Sequence, residues 1–229
     1  MKQTLELLRN GLVVSCQPVD GGPLDRPEIV AQFALAALAG GASALRIEGV
    51  ANLNSVRKVT DAPIIGLVKS DRDDSDVRIT STISDVENLV REGANIIAFD
   101  VTDRTRPVSR EILLAKIKDL GKLAMADCSN LEDGIWAAQN GCDILGSTMS
   151  GYAGSNEQSG PDLELVKALS RLKKFVAAEG RYNSPSLAAQ AITAGADTVV
   201  IGSAITRPEH VTSWFADSIQ AARNAKETI

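Results

Sequence analysis

Two ionisable side chains, Lys69 and Glu179, each directly follow an apolar, strand-like run, where they could move a proton. Apolar neighbours desolvate a lysine and lower its pKa, which makes a neutral amine available as a general base or a Schiff-base nucleophile. A carboxylate at a strand end is costly unless it is paired, so Glu179 is expected to meet Lys69, Arg46 or a substrate. The alternative interpretations are a surface lysine and a structural ion pair between Glu179 and Arg181.

Two glycine-containing turns are typical of phosphate binding. Gly180 and Arg181 follow one apolar run, and Gly202 and Ser203 follow the next run, 198–201. Backbone N–H groups in such turns can bind phosphate oxygens. One Gly-Ser turn is weak evidence, but two turns at successive strand ends favour a phosphate site.

Predicted strands and helices, which must position these residues, alternate along the whole chain. Helical patterns cover 27–39, 84–92, 110–120, 131–140, 162–172 and 186–194, and they separate short apolar runs that are typical of β-strands. Such alternation predicts βαβ units and a parallel sheet. There are eight runs: 12–16, 44–47, 64–68, 96–99, 123–126, 143–146, 175–178 and 198–201.

A repeated glycine marks the passage from helix to strand. Gly41, Gly93, Gly141 and Gly195 each lie between a helical pattern and an apolar run. Glycine suits the left-handed turn that ends a helix before a strand begins. The first strand leads into Ser-Cys-Gln-Pro and lacks the glycine-rich turn of a dinucleotide-binding fold. The sequence therefore predicts a single (β/α)8 TIM-barrel domain over 1–229, preceded by a short N-terminal helix.

In such a barrel the functional residues gather at the carboxyl ends of the strands. Polar or ionisable residues occupy the ends of all eight runs, among them Gln17, Arg46, Asp127 and Thr148. Asp127 could bind hydroxyls or orient a lysine. Arg46 points either into the barrel or among the covering helices, and a structural ion pair with a glutamate is an equally simple interpretation.

The composition excludes several classes of partner. The net charge is −5 and no basic run occurs, which argues against nucleic acid and anionic membranes. The apolar stretch 29–45 is interrupted by Gln32, Gly40 and Gly41, so it is not expected to span a membrane.

The cysteines and the single histidine bear on metals and on compartment. His210 is expected to lie on a helix surface or to pack, and one histidine without clustered cysteines predicts no histidine-based metal site, whereas carboxylate-bound Mg²⁺ stays open. Three cysteines without metal-site spacing favour a reducing, cytoplasmic compartment: Cys16, Cys128 and Cys142.

Segments distributed over nearly the whole chain resemble the bacterial N-acetylmannosamine-6-phosphate 2-epimerases. They lie at 11–18, 46–50, 64–69, 103–107, 125–129, 150–152, 178–182 and 202–207. The least similar parts are the N-terminal helix, Ser70 and the loop 153–160. The resemblance implies a barrel of the ribulose-phosphate-binding type that interconverts N-acetylmannosamine 6-phosphate and N-acetylglucosamine 6-phosphate without a cofactor. It also implies that Lys69 is the acid/base residue and that Glu179 assists.

The resemblance and the chemistry of C2 inversion together assign the remaining roles. The C2 proton lies next to the C1 aldehyde, so its removal needs a base, and Lys69 is the expected one. Whether Lys69 serves both faces or Glu179 supplies the second proton is left open. The carbonyl, N-acetyl and hydroxyl groups are assigned to Gln17, Arg46 and Asp127, and the phosphate to Gly180, Arg181, Gly202, Ser203 and Arg207.

Two other functions and the assembly stay open. Lys69 could form an imine in a class I sugar-phosphate aldolase, or the chain could be a non-catalytic sugar-phosphate-binding protein. The last helix, 208–227, could cover either the barrel or an interface, and packing of Trp214 and Phe215 on the barrel is the favoured expectation. A homodimer is the candidate assembly.

Overall fold

The computed structural model describes residues 2–153 and 159–227. Most of the loop 153–160 lies outside these described residues. The elements are α1 (Lys2–Leu8), β1 (Gly11–Cys16), α2 (Pro27–Ala39), β2 (Ala44–Glu48), α3 (Val50–Arg57), β3 (Ile64–Leu67), α4 (Ile83–Arg91), β4 (Ile96–Asp100), α5 (Arg110–Asp119), β5 (Leu123–Asp127), α6 (Leu131–Asn140), β6 (Ile144–Gly146), α7 (Leu163–Ser170), β7 (Phe175–Glu179), α8 (Pro185–Thr193), β8 (Thr198–Ile201), α9 (Ser203–Thr206) and α10 (Pro208–Glu227).

The eight strands form a closed parallel barrel in sequence order. The ring closes where β8 pairs with β1, with Gly11 opposite Thr198. Both the predicted barrel and its eight strands are confirmed. The junction glycines are also confirmed: Gly41, Gly93, Gly141 and Gly195 all have positive φ values, between 85° and 109°, a conformation that costs glycine little.

Side chains alternate between two apolar layers along each strand. Val13, Ile65 and Met125 belong to the cluster that fills the barrel, whereas Val14 and Ile64 pack between the strands and the surrounding helices. Leu8 of α1 joins the inner cluster and is fully buried, so the N-terminal helix packs against the barrel interior.

The inward alternation continues beyond the apolar positions to the ends of the strands. Five polar side chains each lie two residues beyond an inward apolar residue, namely Val13, Ala44, Leu67, Met125 or Ala177. They are Ser15, Arg46, Lys69, Asp127 and Glu179. The period of 2 therefore directs the candidate site residues into the mouth of the barrel.

The last helix corrects one expectation. Helix α10 has 20 residues, and its residues 215–225 are exposed. Phe215 is 69% exposed, so the expectation that it packs on the barrel is wrong. Trp214 is half-buried. Apolar spacing identified the helix correctly but could not tell which surface covers its apolar side.

Helix α3 is an addition to the elements predicted from sequence. Its first residue directly follows Gly49, which has φ of 87°, and its chain VANLNSVR carries a weak apolar pattern. Within 2–153 and 159–227, every helix is too short or too polar to cross a bilayer.

Candidate active site

Four of the five inward polar residues, all except Asp127, line a cavity of about 620 Å³ at the carboxyl ends of the strands. Its walls combine three arginines, a lysine and a glutamate from the site predictions with glycine turns at one side. Among the lining residues are Ser15, Gln17, Arg46, Lys69, Asp100, Arg104, Thr148, Tyr152, Glu179, Gly180, Arg181, Gly202, Ser203, Arg207, His210 and Trp214.

Lys69 is held at this cavity by groups from two neighbouring strands. Its Nζ donates to Gln17 Oε1 at 2.8 Å, and its backbone N–H donates to Glu48 Oε1 at 3.1 Å. Gln17 in turn donates through Nε2 to Ser15 Oγ at 2.8 Å. The amine is therefore oriented by an amide rather than neutralised by a carboxylate.

The surroundings of Lys69 favour its neutral form. The side chain reaches solvent through the open cavity, yet the protein atoms around the amine desolvate it and lower its pKa. The positive charges of Arg46 and Arg207 lower the pKa further, against opposing effects of Glu179 and Glu48. Lys69 is thus suited to accept a proton.

Arg46 lies in the barrel interior and connects two carboxylates. Its Nη2 donates to Asp127 Oδ2 at 2.8 Å, and its Nε lies 3.1 Å from Glu179 Oε1 in an ion pair without hydrogen-bond alignment. Burial alone would lower the pKa of Arg46, but Asp127 and Glu179 together raise it. The guanidinium is therefore a fixed positive charge.

Glu179 has the most perturbed carboxyl group among the cavity residues. Its side chain is 14% exposed. Burial raises the pKa of Glu179 from 4.5 to about 7; Arg46 opposes this shift and Asp127 adds to it. The alternative ion pair with Arg181 is not formed, because Glu179 pairs with Arg46 and the Arg181 guanidinium donates to backbone carbonyls.

Asp127 lies beneath the cavity and contacts two residues of the site, Arg46 and Thr148. Its side chain is fully buried and does not line the cavity. Its second oxygen, Oδ1, lies 2.7 Å from Thr148 Oγ1, which is also 3.1 Å from Glu179 Oε2. The structure thus places Asp127 against Arg46 and Thr148 rather than at the cavity surface.

The turn after β7 forms one side of the cavity. Gly180 has φ of 109° and Arg181 has φ of 61°, so the chain reverses sharply there. Arg181 Nη1 donates to the Ser150 carbonyl at 2.9 Å, and its guanidinium lies 4.2 Å from the Tyr152 ring centre. These contacts hold a positive charge beside the turn.

The turn after β8 lies next to it. A Cβ on Gly202 would come within 3.4 Å of Ser15 Cβ, and Ser203 begins the short helix α9. Arg207 Nε donates to the Gln17 carbonyl at 2.7 Å. Two glycine turns and two arginines therefore line the same cavity, as the sequence predicted.

The structure adds cavity residues that the site predictions did not include. Arg104 is anchored by Asp100 Oδ2 at 2.7 Å and by Thr102 Oγ1 at 2.8 Å. Asp100 is the last residue of β4 and lies in the inward register, so strand alternation would have identified it. His210 and Trp214 also line the cavity, whereas the sequence assigned His210 to surface or packing.

Among residues 2–153 and 159–227, no group of three or more histidine, cysteine or acidic side chains is arranged to hold a metal ion. Cys16, Cys128 and Cys142 are buried thiols, and burial raises the pKa of Cys16 to about 12.

Comparison with known proteins decides the family. Residues 30–221 match the NanE family, described as "Putative N-acetylmannosamine-6-phosphate epimerase". The chain belongs to the NanE family. Relatives named "Putative N-acetylmannosamine-6-phosphate 2-epimerase" include one from Pasteurella multocida, 54% identical over 221 residues (96% of this chain, 97% of the relative). Another, from Vibrio vulnificus, is 56% identical over 223 residues (97% and 99%).

Solved structures agree with this membership. The N-acetylmannosamine-6-phosphate 2-epimerase from Clostridium perfringens superposes with a TM-score of 0.90 at 40% identity, covering 93% of this chain and 95% of that one. A thiamine phosphate pyrophosphorylase from Pyrococcus furiosus has a TM-score of 0.59 at 19% identity, with 88% and 89% coverage, and shares the fold. This NanE chain is therefore an epimerase on a TIM barrel.

Proposed function

We propose that this enzyme inverts C2 of N-acetyl-D-mannosamine 6-phosphate to give N-acetyl-D-glucosamine 6-phosphate. Relatives named for this substrate support the reaction. The structural observation that carries it is the placement of a proton acceptor, Lys69, and a proton donor, Glu179, after β3 and at the end of β7. These strands are opposite one another in the ring, and both side chains line one cavity.

The reaction removes a proton next to a carbonyl group. In the open-chain sugar the C2–H bond is α to the C1 aldehyde, so deprotonation gives an enolate. Lys69 takes this proton as a neutral amine, a form that its lowered pKa makes accessible. The guanidinium of Arg46 stabilises the negative charge that develops on the enolate oxygen.

Inversion then requires a proton on the other face of C2. Glu179 supplies it, because a pKa of about 7 leaves its carboxyl group protonated in a large fraction of molecules at neutral pH. The C2 proton ends on Lys69 and the Glu179 proton ends on C2. The two residues exchange protons with solvent before the next turnover.

The remaining residues bind the groups around the reacting carbon and the phosphate at the far end of the sugar. Gln17 and Arg46 hold the carbonyl and N-acetyl groups. Because Asp127 lies beneath the cavity, we assign it to holding Arg46 rather than to direct contact with a hydroxyl. The phosphate binds at the two turns and their arginines: Gly180, Arg181, Gly202, Ser203 and Arg207.

A direct assay tests this function. Purified protein is incubated with N-acetylmannosamine 6-phosphate, and formation of N-acetylglucosamine 6-phosphate is followed by ¹H NMR. Equilibration of the two sugars supports the proposal. Binding without turnover would contradict it and would support a non-catalytic sugar-phosphate-binding protein instead.

We also infer that the enzyme is a homodimer in which α10 packs on the partner. Phe215 and Ile219, four residues apart on one side of the helix, are 69% and 55% exposed. Most of the stability of a helix in a protein comes from packing of its apolar face rather than from helix propensity, and residues 215–225 of α10 are exposed. A surface that buries these side chains is therefore needed.

The barrel carries a matching apolar groove beside β1, β8 and α8, with a volume of about 500 Å³. The groove lies where a helix following β8 normally covers the last strand of a (β/α)8 barrel. A second copy suits it, because a two-fold axis lets each α10 fill the other chain's groove. Its lining includes Leu12, Ala188, Ile192, Val199, Ile201, Ala204 and Ile205.

A further inference from the structure

A fully buried carboxylate, Asp127, and a largely buried one, Glu179, share a single guanidinium in the barrel. Arg46 Nη2 donates to Asp127 Oδ2 at 2.8 Å, and Arg46 Nε lies 3.1 Å from Glu179 Oε1. The Arg46 and Asp127 side chains are 1% and 0% exposed. If both carboxylates were ionised, Arg46, Asp127 and Glu179 would together carry one net negative charge in a largely desolvated place, with Lys69 as the next cation. Such a charge is costly, so the cluster favours one shared proton.

Thr148 joins the two carboxylates on their other side. Its Oγ1 lies 2.7 Å from Asp127 Oδ1 and 3.1 Å from Glu179 Oε2. A threonine hydroxyl has one hydrogen to donate and two lone pairs to accept with. Between two ionised carboxylates the hydroxyl can donate its hydrogen to only one of them. It then presents a lone pair to the other carboxylate, which is repulsive. A proton on one carboxyl group removes this conflict.

The contacts determine which carboxyl group holds that proton. Asp127 receives a direct hydrogen bond from Arg46 Nη2 and has the shorter contact with Thr148. The Arg46–Glu179 contact lacks hydrogen-bond alignment at Nε. The ionised form is therefore better supported at Asp127, and the proton belongs on Glu179.

We propose that Thr148 is a positioning residue that keeps Glu179 protonated by donating its hydrogen to Asp127 and accepting the Glu179 proton. The catalytic consequence rests on the proposed function, in which Glu179 protonates C2. The charged groups that act on Glu179 are Arg46 on β2, Lys69 after β3 and Asp127 on β5. Arg46 has no lone pair with which to accept a hydrogen bond, whereas the Thr148 hydroxyl has two and lies within hydrogen-bond distance of both carboxylates.

The test is a ¹³C NMR titration of the free enzyme labelled in its glutamate carboxyl groups. The Glu179 resonance is identified by its loss in Glu179→Gln. In Thr148→Val, which removes the hydroxyl but keeps the shape, the pKa of Glu179 should fall by about 1. In Thr148→Ser, which keeps the hydroxyl, it should stay near the wild-type value. A rise in Thr148→Val would mean that Thr148 donates to Glu179, and either a rise or no change overturns the proposal.

Two further measurements keep the test decisive. If Thr148→Val does not fold, neutron diffraction of the wild-type enzyme locates the hydroxyl deuterium, which should lie between Thr148 and Asp127; a deuterium directed at Glu179 overturns the proposal. In a folded Thr148→Val, the alkaline limb of the kcat profile should move to lower pH. Because the NMR titration needs no substrate, a positive titration with no epimerase activity would refute the proposed function alone.

Discussion

Lys69 and Glu179 stand at the ends of opposite strands, β3 and β7, and both side chains line one cavity. Desolvation lowers the pKa of Lys69 and raises that of Glu179, so the neutral form of each is more accessible than in water. In the proposed reaction Lys69 is the base and Glu179 is the acid on the other face of the substrate. Two residues of this kind can invert a carbon centre without either one having to reach both of its faces.

Replacing Lys69 with alanine should abolish proton abstraction without removing the phosphate site. General base catalysis contributes roughly 10²- to 10⁴-fold, so kcat should fall by at least that factor. Binding of substrate, measured by calorimetry, should survive. Lys167→Ala, which removes an exposed lysine on α7, is the matched control. Retained turnover in Lys69→Ala contradicts the assignment, and substrate-dependent inactivation of the wild type by borohydride would favour an imine-forming aldolase.

Glu179→Gln separates removal of the C2 proton from its delivery on the other face. In D₂O the wild type should place deuterium at C2 during turnover. Glutamine cannot donate a carboxyl proton, so the variant should exchange the C2 proton of N-acetylmannosamine 6-phosphate but form the epimer far more slowly. NMR of the recovered sugar measures both. An unchanged rate of epimer formation would assign both proton transfers to Lys69.

Strand alternation alone anticipated much of this site. Lys69 and Glu179 fall in the inward register two residues beyond buried Leu67 and Ala177, which is visible in the sequence. The alternation of side chains cannot show that Asp127 lies beneath the cavity surface. How deep a side chain lies in the barrel depends on the stagger of neighbouring strands. The sequence shows Thr148 only as a polar residue near the end of a strand. Its role between two carboxylates is not visible there, because its contacts are with residues of β5 and β7.

Glu179 should also make stability depend on pH. Its pKa is about 7 in the folded protein and about 4.5 when unfolded, so the folded state binds the proton more tightly. The stabilisation is complete below pH 4.5 and is lost as the pH rises through about 7, by at most roughly 3 kcal/mol. Urea unfolding at several pH values across this window measures it. Glu179→Gln, which does not titrate, should lack this component; equal slopes in both proteins would refute it.

Arg207→Ala tests the phosphate end of the cavity. Loss of one charged hydrogen-bond donor should raise KM for the phosphorylated sugar by roughly 10- to 100-fold. Because Arg207 also donates to the Gln17 carbonyl, some loss of kcat is expected as well. The decisive quantity is the preference for N-acetylmannosamine 6-phosphate over N-acetylmannosamine. That preference should fall in Arg207→Ala and persist in Arg171→Ala, which removes an exposed arginine at the end of α7; an unchanged preference would place the phosphate elsewhere.

The exposed side of α10 predicts the assembly. Phe215→Lys places a charge where the proposed dimer buries an aromatic ring, so the variant should dissociate to monomers, as measured by light scattering during size-exclusion chromatography. Asp217→Lys introduces the same side chain on another side of the helix and should remain dimeric. A wild-type monomer at micromolar concentration would refute the dimer. A dimer that survives Phe215→Lys would show that the chains associate through a different surface, leaving the groove beside β8 to another segment.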